Sequence, residues 1–203
     1  MRTDRQASAD AREVAGRARP GARRLRRGSV VLVLVVLAAA ALVLAGRLAG
    51  PPPTTAGVVV EGKAVVGRPA PRVELPGLRG GRVRLADLRG RPVVLNFWAS
   101  WCPPCLAEMP EFQRVHRRLG DRVAFLGVNQ RDQAQAAERL ARSSGVTYPL
   151  ALDAAGRAFD AFGGLGMPTT VLIGADGTVA DIVSGQLDET LLRERIRSVL
   201  GVS

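Results

Sequence analysis

Residues 92–105 read PVVLNFWASWCPPC, and this stretch limits what the chain can fold into more than any other. Its first part, Pro92–Ala99, is apolar and rich in β-branched side chains at odd and even positions alike. A strand of that kind has no face to turn to water, so it must lie inside a sheet covered on both sides. It runs straight into a helix, expected over Pro103–Leu119, with Cys102 and Cys105 at the join. The chain has 203 residues and no other cysteine.

The alternation continues downstream. Strands are expected at Arg82–Leu85, Val123–Val128, Tyr148–Leu152, Thr169–Ile173 and Val179–Val183, the last two joined by the turn GADG at 174–177. Helices are expected over Gln133–Arg142, Ala155–Phe162 and Glu189–Leu200, with Asp188 opening the last. Strands and helices in turn, closed by a hairpin, specify an α/β domain with a mixed central sheet and helices on both faces.

Upstream the composition changes. Residues 28–46 carry no charge. As a helix these 19 residues span roughly 28 Å, close to the hydrocarbon thickness of a bilayer. Residues 1–28 hold nine arginines against three acids, so +6 of the net charge of +11 precedes the apolar run. Such a flank marks the cytoplasmic side. The expected organisation is a basic cytoplasmic tail (1–28), one transmembrane helix as anchor (29–49), a Pro- and Gly-punctuated linker (50–66) and an extracytoplasmic domain (67–203). No A-x-A site follows the run and PPP stands at 51–53, which favours an uncleaved anchor over a signal peptide. The bland reading of RRLRRG at 23–28 is a nucleic-acid patch, but abutting a spanning segment it reads as a topology signal, and no nucleic-acid partner is expected.

The cysteine pair admits three chemistries. A closed zinc site wants four ligands. Besides the cysteines there is one histidine, His116, expected on a solvated helix surface, so no metal is expected. A disulfide across so short a loop constrains the unfolded chain little, which makes a structural staple weak. Redox exchange explains more. Cys102 falls at a helix N-terminus, where unpaired N–H groups and the helix dipole favour a thiolate, the attacking species in disulfide exchange. Cys105, one turn on, is placed to resolve the mixed disulfide.

The segment VVLNFWASWCPPCLAEMPEF at 93–112, with GRPAP at 67–71, LADLRG at 85–90 and GMPTTVLIGADG at 166–177, resembles the thioredoxin superfamily. More narrowly it resembles the membrane-anchored TlpA/ResA/DsbE-like thiol-disulfide oxidoreductases. The resemblance covers residues 67–200 and implies a thioredoxin-like fold. It implies that Pro168 is cis and that Met167 offers a strand edge to substrate. It assigns Trp101 to substrate contact or to shielding the sulfur, and Pro103 and Pro168 stand with Trp101 and Met167 as the expected substrate-binding set. Asn96 stands where ordinary thioredoxins have a buried aspartate, and it cannot titrate. The narrower group implies a proton-carrying glutamate three residues after the second cysteine, here Glu108. Positions 105, 108, 112, 115 and 119 share one helix face, which puts Glu108 at a buried edge where its pKa rises. Trp98 is expected in the core and Pro110 as an architectural kink. Asp87, Asp132 and Glu138 are expected as solvated surface.

Pro103 and Pro104 bring neither charge nor backbone N–H to Cys102, which predicts a reducing couple. The resemblance supplies the rest of the expectation: electrons from a membrane thiol transporter, protein disulfide substrates such as apocytochrome c, and residues 129–165 as the region that shapes partner choice. A monomer with no cofactor beyond its own disulfide is expected. The rivals are a thiol peroxidase, which would want Thr where Ala99 stands, a disulfide-donating oxidant, and a copper or haem-pathway binding module.

Overall fold

The computed structural model describes residues 31–40 and 58–203, and the chain divides into two units, Met1–Thr54 and Thr55–Ser203. Of the first unit, residues 31–40 are helical (α1). Among the described residues no helix is long and apolar enough to cross a membrane. The expected tail, the rest of the expected anchor and the linker up to residue 57 lie outside the described residues.

In the second unit, β1 (Val59–Glu61), β2 (Arg72–Pro76) and β3 (Arg82–Arg84) form a small antiparallel sheet. A second sheet of five strands has the order β6-β5-β4-β7-β8. Its strands β4 (Val93–Trp98), β5 (Ala124–Gln130) and β6 (Leu150–Asp153) are parallel, β7 (Thr169–Ile173) pairs antiparallel with β4, and β8 (Val179–Ser184) pairs antiparallel with β7. The helices are α2 (Pro103–Leu119), α3 (Ala134–Ser143), α4 (Arg157–Ala161) and α5 (Glu189–Leu200).

All six residues of β4 are buried, as its two-faced apolar pattern requires. Val94 and Trp98 pack into one core with Met109, Phe112 and Val115 of α2, Ala137 of α3 and Leu192 of α5. Val93, Leu95 and Phe97 point the other way, into a second core with Val73 and Leu75 of β2 and Phe159 of α4. Phe97 meets Phe159 edge-on, with ring centroids 5.5 Å apart. Gly127 lets β5 pass close beneath Trp98: a Cβ there would stand 2.5 Å from a Leu150 methyl and 3.0 Å from the indole nitrogen.

Two expectations need correction. The domain does not begin at residue 67, and the expected 50–66 linker is not all tether. β1 lies within it and pairs with β2 through Val59–Glu74 and Glu61–Arg72, and Ala64 N–H donates to Ala161 of α4. Both strands are short, and β2 is buried only at alternate positions, so neither stands out as a continuous apolar run. The second face of the large sheet carries only the five-residue helix α4; the small sheet provides the rest of its cover.

Candidate active site

β4 delivers the chain to its C-terminal end, where Ala99, Ser100 and Trp101 bridge to α2. Cys102 is the N-cap of α2. Pro103 and Pro104 fill the first helical positions, where a fixed φ is favourable and the missing N–H has no intrahelical acceptor. Two of the free N–H groups of an ordinary helix start are therefore absent. The Cys105 N–H donates to Cys102 Sγ at 3.3 Å, and the Leu106 N–H goes to the Cys102 carbonyl at 3.2 Å. The cysteines are joined as a disulfide. Cys102 keeps 3% of its surface exposed and Cys105 none.

The bridge before Cys102 is clamped from the end of β5. The parallel pairing of Trp98 with Asn129 brings residues 130–132 beside it. Asp132 accepts from the Ser100 N–H at 2.6 Å and the Ser100 hydroxyl at 2.9 Å, and from the Asn129 amide at 2.9 Å and the Gln133 N–H at 2.7 Å. These bonds outweigh partial burial and hold its pKa below the ordinary aspartate value. Trp101, 55% exposed, donates its indole N–H to the Arg131 carbonyl at 3.1 Å. Arg131 itself takes φ +45° and is held by Asp160 of α4.

The Met167–Pro168 peptide is cis, as the resemblance implied. Thr169 pairs with Phe97, so Pro168 comes level with Trp98 at the end of β4 and Met167 with the first residue of the bridge to Cys102. Pro168 is buried and its carbonyl accepts from Gly185 N–H at 2.9 Å; Met167 is half-buried and packs against both cores.

Glu108 is more deeply placed than a buried edge: it is fully buried. Its Oε1 accepts from the Asn96 side-chain amide at 2.8 Å, and Oε2 from the Leu187 N–H at 3.3 Å. Burial pushes its pKa up to about 7, against the pull of the two donors. Tyr148, also buried, has its phenol pushed up by burial and then by the charge of Glu108.

Trp98 is in the core, and Pro110 lies inside α2, where it supplies no N–H to the preceding turn. Asp87 and Glu138 make surface pairs with Arg84 and Arg142. Asp132 is not plain surface, as described. His116 is not solvated either: its ring lies 5.2 Å from Phe125 and 5.5 Å from Tyr148, and burial lowers its pKa. Among the described residues, no group of three or more His, Cys, Asp or Glu side chains is gathered to hold a metal ion.

The AhpC/TSA family model matches residues 66–182, more than half of the chain. The chain belongs to the AhpC/TSA family. Thiol-disulfide oxidoreductase ResA of Geobacillus thermodenitrificans is 35% identical over 137 residues, covering 66% of this chain and 78% of the relative. A thioredoxin-family thiol:disulfide interchange protein from Chlorobium tepidum superposes with a TM-score of 0.60 at 28% identity, covering 66% of this chain and 97% of the other. A secreted Mycobacterium tuberculosis disulfide oxidoreductase, homologous to DsbE of E. coli, gives a TM-score of 0.56 at 27% identity, covering 62% and 94%. Within the family the chain is a thiol-disulfide oxidoreductase of the ResA/DsbE type, with a thioredoxin-like fold and its cysteines in Cys-x-x-Cys spacing.

Proposed function

We propose that the chain is a reductant of protein disulfides on the extracytoplasmic side of a membrane, tethered there by its N-terminal segment. The observation that carries the redox direction is the start of α2. A couple turns oxidising when its thiolate is strongly stabilised. Here the two prolines leave the Cys105 N–H as the donor at Cys102 Sγ. The uncharged run behind nine arginines supports the tether.

In the proposed cycle the Cys102 thiolate attacks a substrate disulfide. One substrate sulfur leaves as a thiolate, which takes a proton from solvent, and the other is held in a mixed disulfide. Cys105 then attacks Cys102 Sγ, the second substrate sulfur departs, and the Cys102–Cys105 disulfide forms. The Cys105 thiol proton passes to Glu108. Trp101, Pro103, Met167 and Pro168 contact the substrate chain, which pairs along the Met167 edge. The substrate class includes apocytochrome c before haem attachment, and a membrane thiol transporter returns two electrons to the disulfide. The protein acts as a monomer, with no cofactor but its own disulfide.

Trapping tests the roles. Reduced Cys105→Ala should accumulate a mixed disulfide through Cys102 with an oxidised apocytochrome c peptide, and Cys102→Ala should not. Accumulation on Cys105 instead would reverse the assignment.

A further inference from the structure

We propose that Asn96 is a positioning residue for this chemistry: its side-chain amide, braced on Thr170, fixes the Glu108 carboxyl one helical turn beyond Cys105 and stabilises its charged form. The inference rests on Glu108 being the proton carrier.

Asn96 sits in the middle of β4 and is 2% exposed. Its amide nitrogen gives one proton to Glu108 Oε1 at 2.8 Å and the other to Thr170 Oγ1 at 3.3 Å, on β7. Its carbonyl oxygen is buried and accepts nothing. A purely structural asparagine in a core would be expected to have both ends satisfied. Here the donor end is engaged twice and the acceptor end is idle, which is the arrangement suited to serving an anion. A hydrogen bond to a charged acceptor in a buried setting is stronger than one between neutral groups.

The surroundings of Glu108 leave this contact in control. From the segment after β8 comes the Leu187 N–H, longer at 3.3 Å. Ahead of β6 stands Tyr148, whose phenol stays protonated across the working range. On α2 itself Cys105 is held in the disulfide and does not titrate in this form. Asn96 therefore opposes the burial that keeps Glu108 protonated, and brings its titration to where a base is useful. An aspartate at this position would place a second carboxyl 2.8 Å from the first, and the two would share a proton.

The test follows the Glu108 carboxyl carbon by NMR in the oxidised full-length protein as pH is raised. Asn96→Leu should move its midpoint up by about one pH unit or more. The same variant, reduced, should resolve mixed disulfides at pH 7 about fivefold or more slower than wild type, less slowly than Glu108→Gln, and should recover rate as pH is raised, which Glu108→Gln should not. An unmoved midpoint in Asn96→Leu overturns the inference, and slow resolution in Glu108→Gln would leave the proton-carrier reading standing. Fast resolution in Glu108→Gln overturns that reading and the role of Asn96 with it. Asn96→Asp, nearly isosteric, covers a failure of Asn96→Leu to fold: it should replace the single titration by two separated steps, and one unchanged step would count against the proposal.

Discussion

At the residue scale the proposed mechanism depends on one carboxyl. Glu108 is buried without a cation against it, and its donors are an amide side chain and a backbone N–H. Its pKa near 7 makes it half-ionised where the enzyme works, able to take a thiol proton and lose it again. Glu108→Gln should slow the resolving step about a hundredfold, read as the lifetime of the mixed disulfide, and leave the first attack by Cys102 less affected. The same shift has a cost in stability. A carboxyl whose folded pKa is raised binds more protons folded than unfolded. Its contribution is most favourable below the unfolded value of 4.5 and is lost as pH rises through about 7. His116, lowered by burial, acts in the opposite sense over the acid part of that range, so the difference between wild type and variant is the clean quantity. Wild-type melting temperature relative to Glu108→Gln should fall between pH 4.5 and 7, by a few degrees. A constant difference would show that Glu108 does not titrate there.

At the scale of elements, α2 and the bridge before it do different work. In the proposed function the helix start sets redox poise. Placing an imidazole at Pro104 adds a charge-capable donor near Cys102, and Pro104→His should make the couple more oxidising by about 30 mV or more, measured against a dithiothreitol buffer. The bridge is held by Asp132. Asp132→Ala should cost about 1 kcal/mol in chemical denaturation, because the part-buried N–H and hydroxyl of Ser100 and the amide of Asn129 lose their acceptor. Asp87→Ala, which breaks an exposed pair with Arg84, should cost little. These two aspartates look alike in sequence. The span Pro103–Leu119 was readable because apolar periodicity and two prolines at its start all mark the same helix, and the face that holds Glu108 follows from that periodicity. Asp132 was not readable, because its partners across the fold arrive through the register of β4 with β5, which no local spacing encodes. The same holds for Asn96: the sequence marks it as unable to titrate, and only the pairing of β4 with β7 and α2 reveals what its amide touches.

For the whole molecule, the two cores on either face of the large sheet divide its labour. One holds Cys105 of α2, with Glu108 three residues on along the same helix and hydrogen-bonded to Asn96 of β4. The other, sealed by the small sheet and α4, fixes β4 from behind. The α/β alternation of the large sheet was legible from buried strands and helix periodicity. Of the small sheet only β3 was expected, as a strand at Arg82–Leu85; β1 and β2 were hidden, since strands of three to five residues with one wet face carry little hydrophobic signal. Carving both cores around one two-faced strand puts the redox pair at the end of a wholly buried element, as a reaction needing close sulfur alignment requires. The most direct test of the proposed direction is the equilibrium reduction potential of the Cys102–Cys105 couple in a dithiothreitol buffer series. A value near or below that of thioredoxin, about −270 mV, is predicted for a helix start with so few donors at its sulfur. A value near the strong-oxidant end, about −120 mV, would contradict it and make the protein a donor of disulfides.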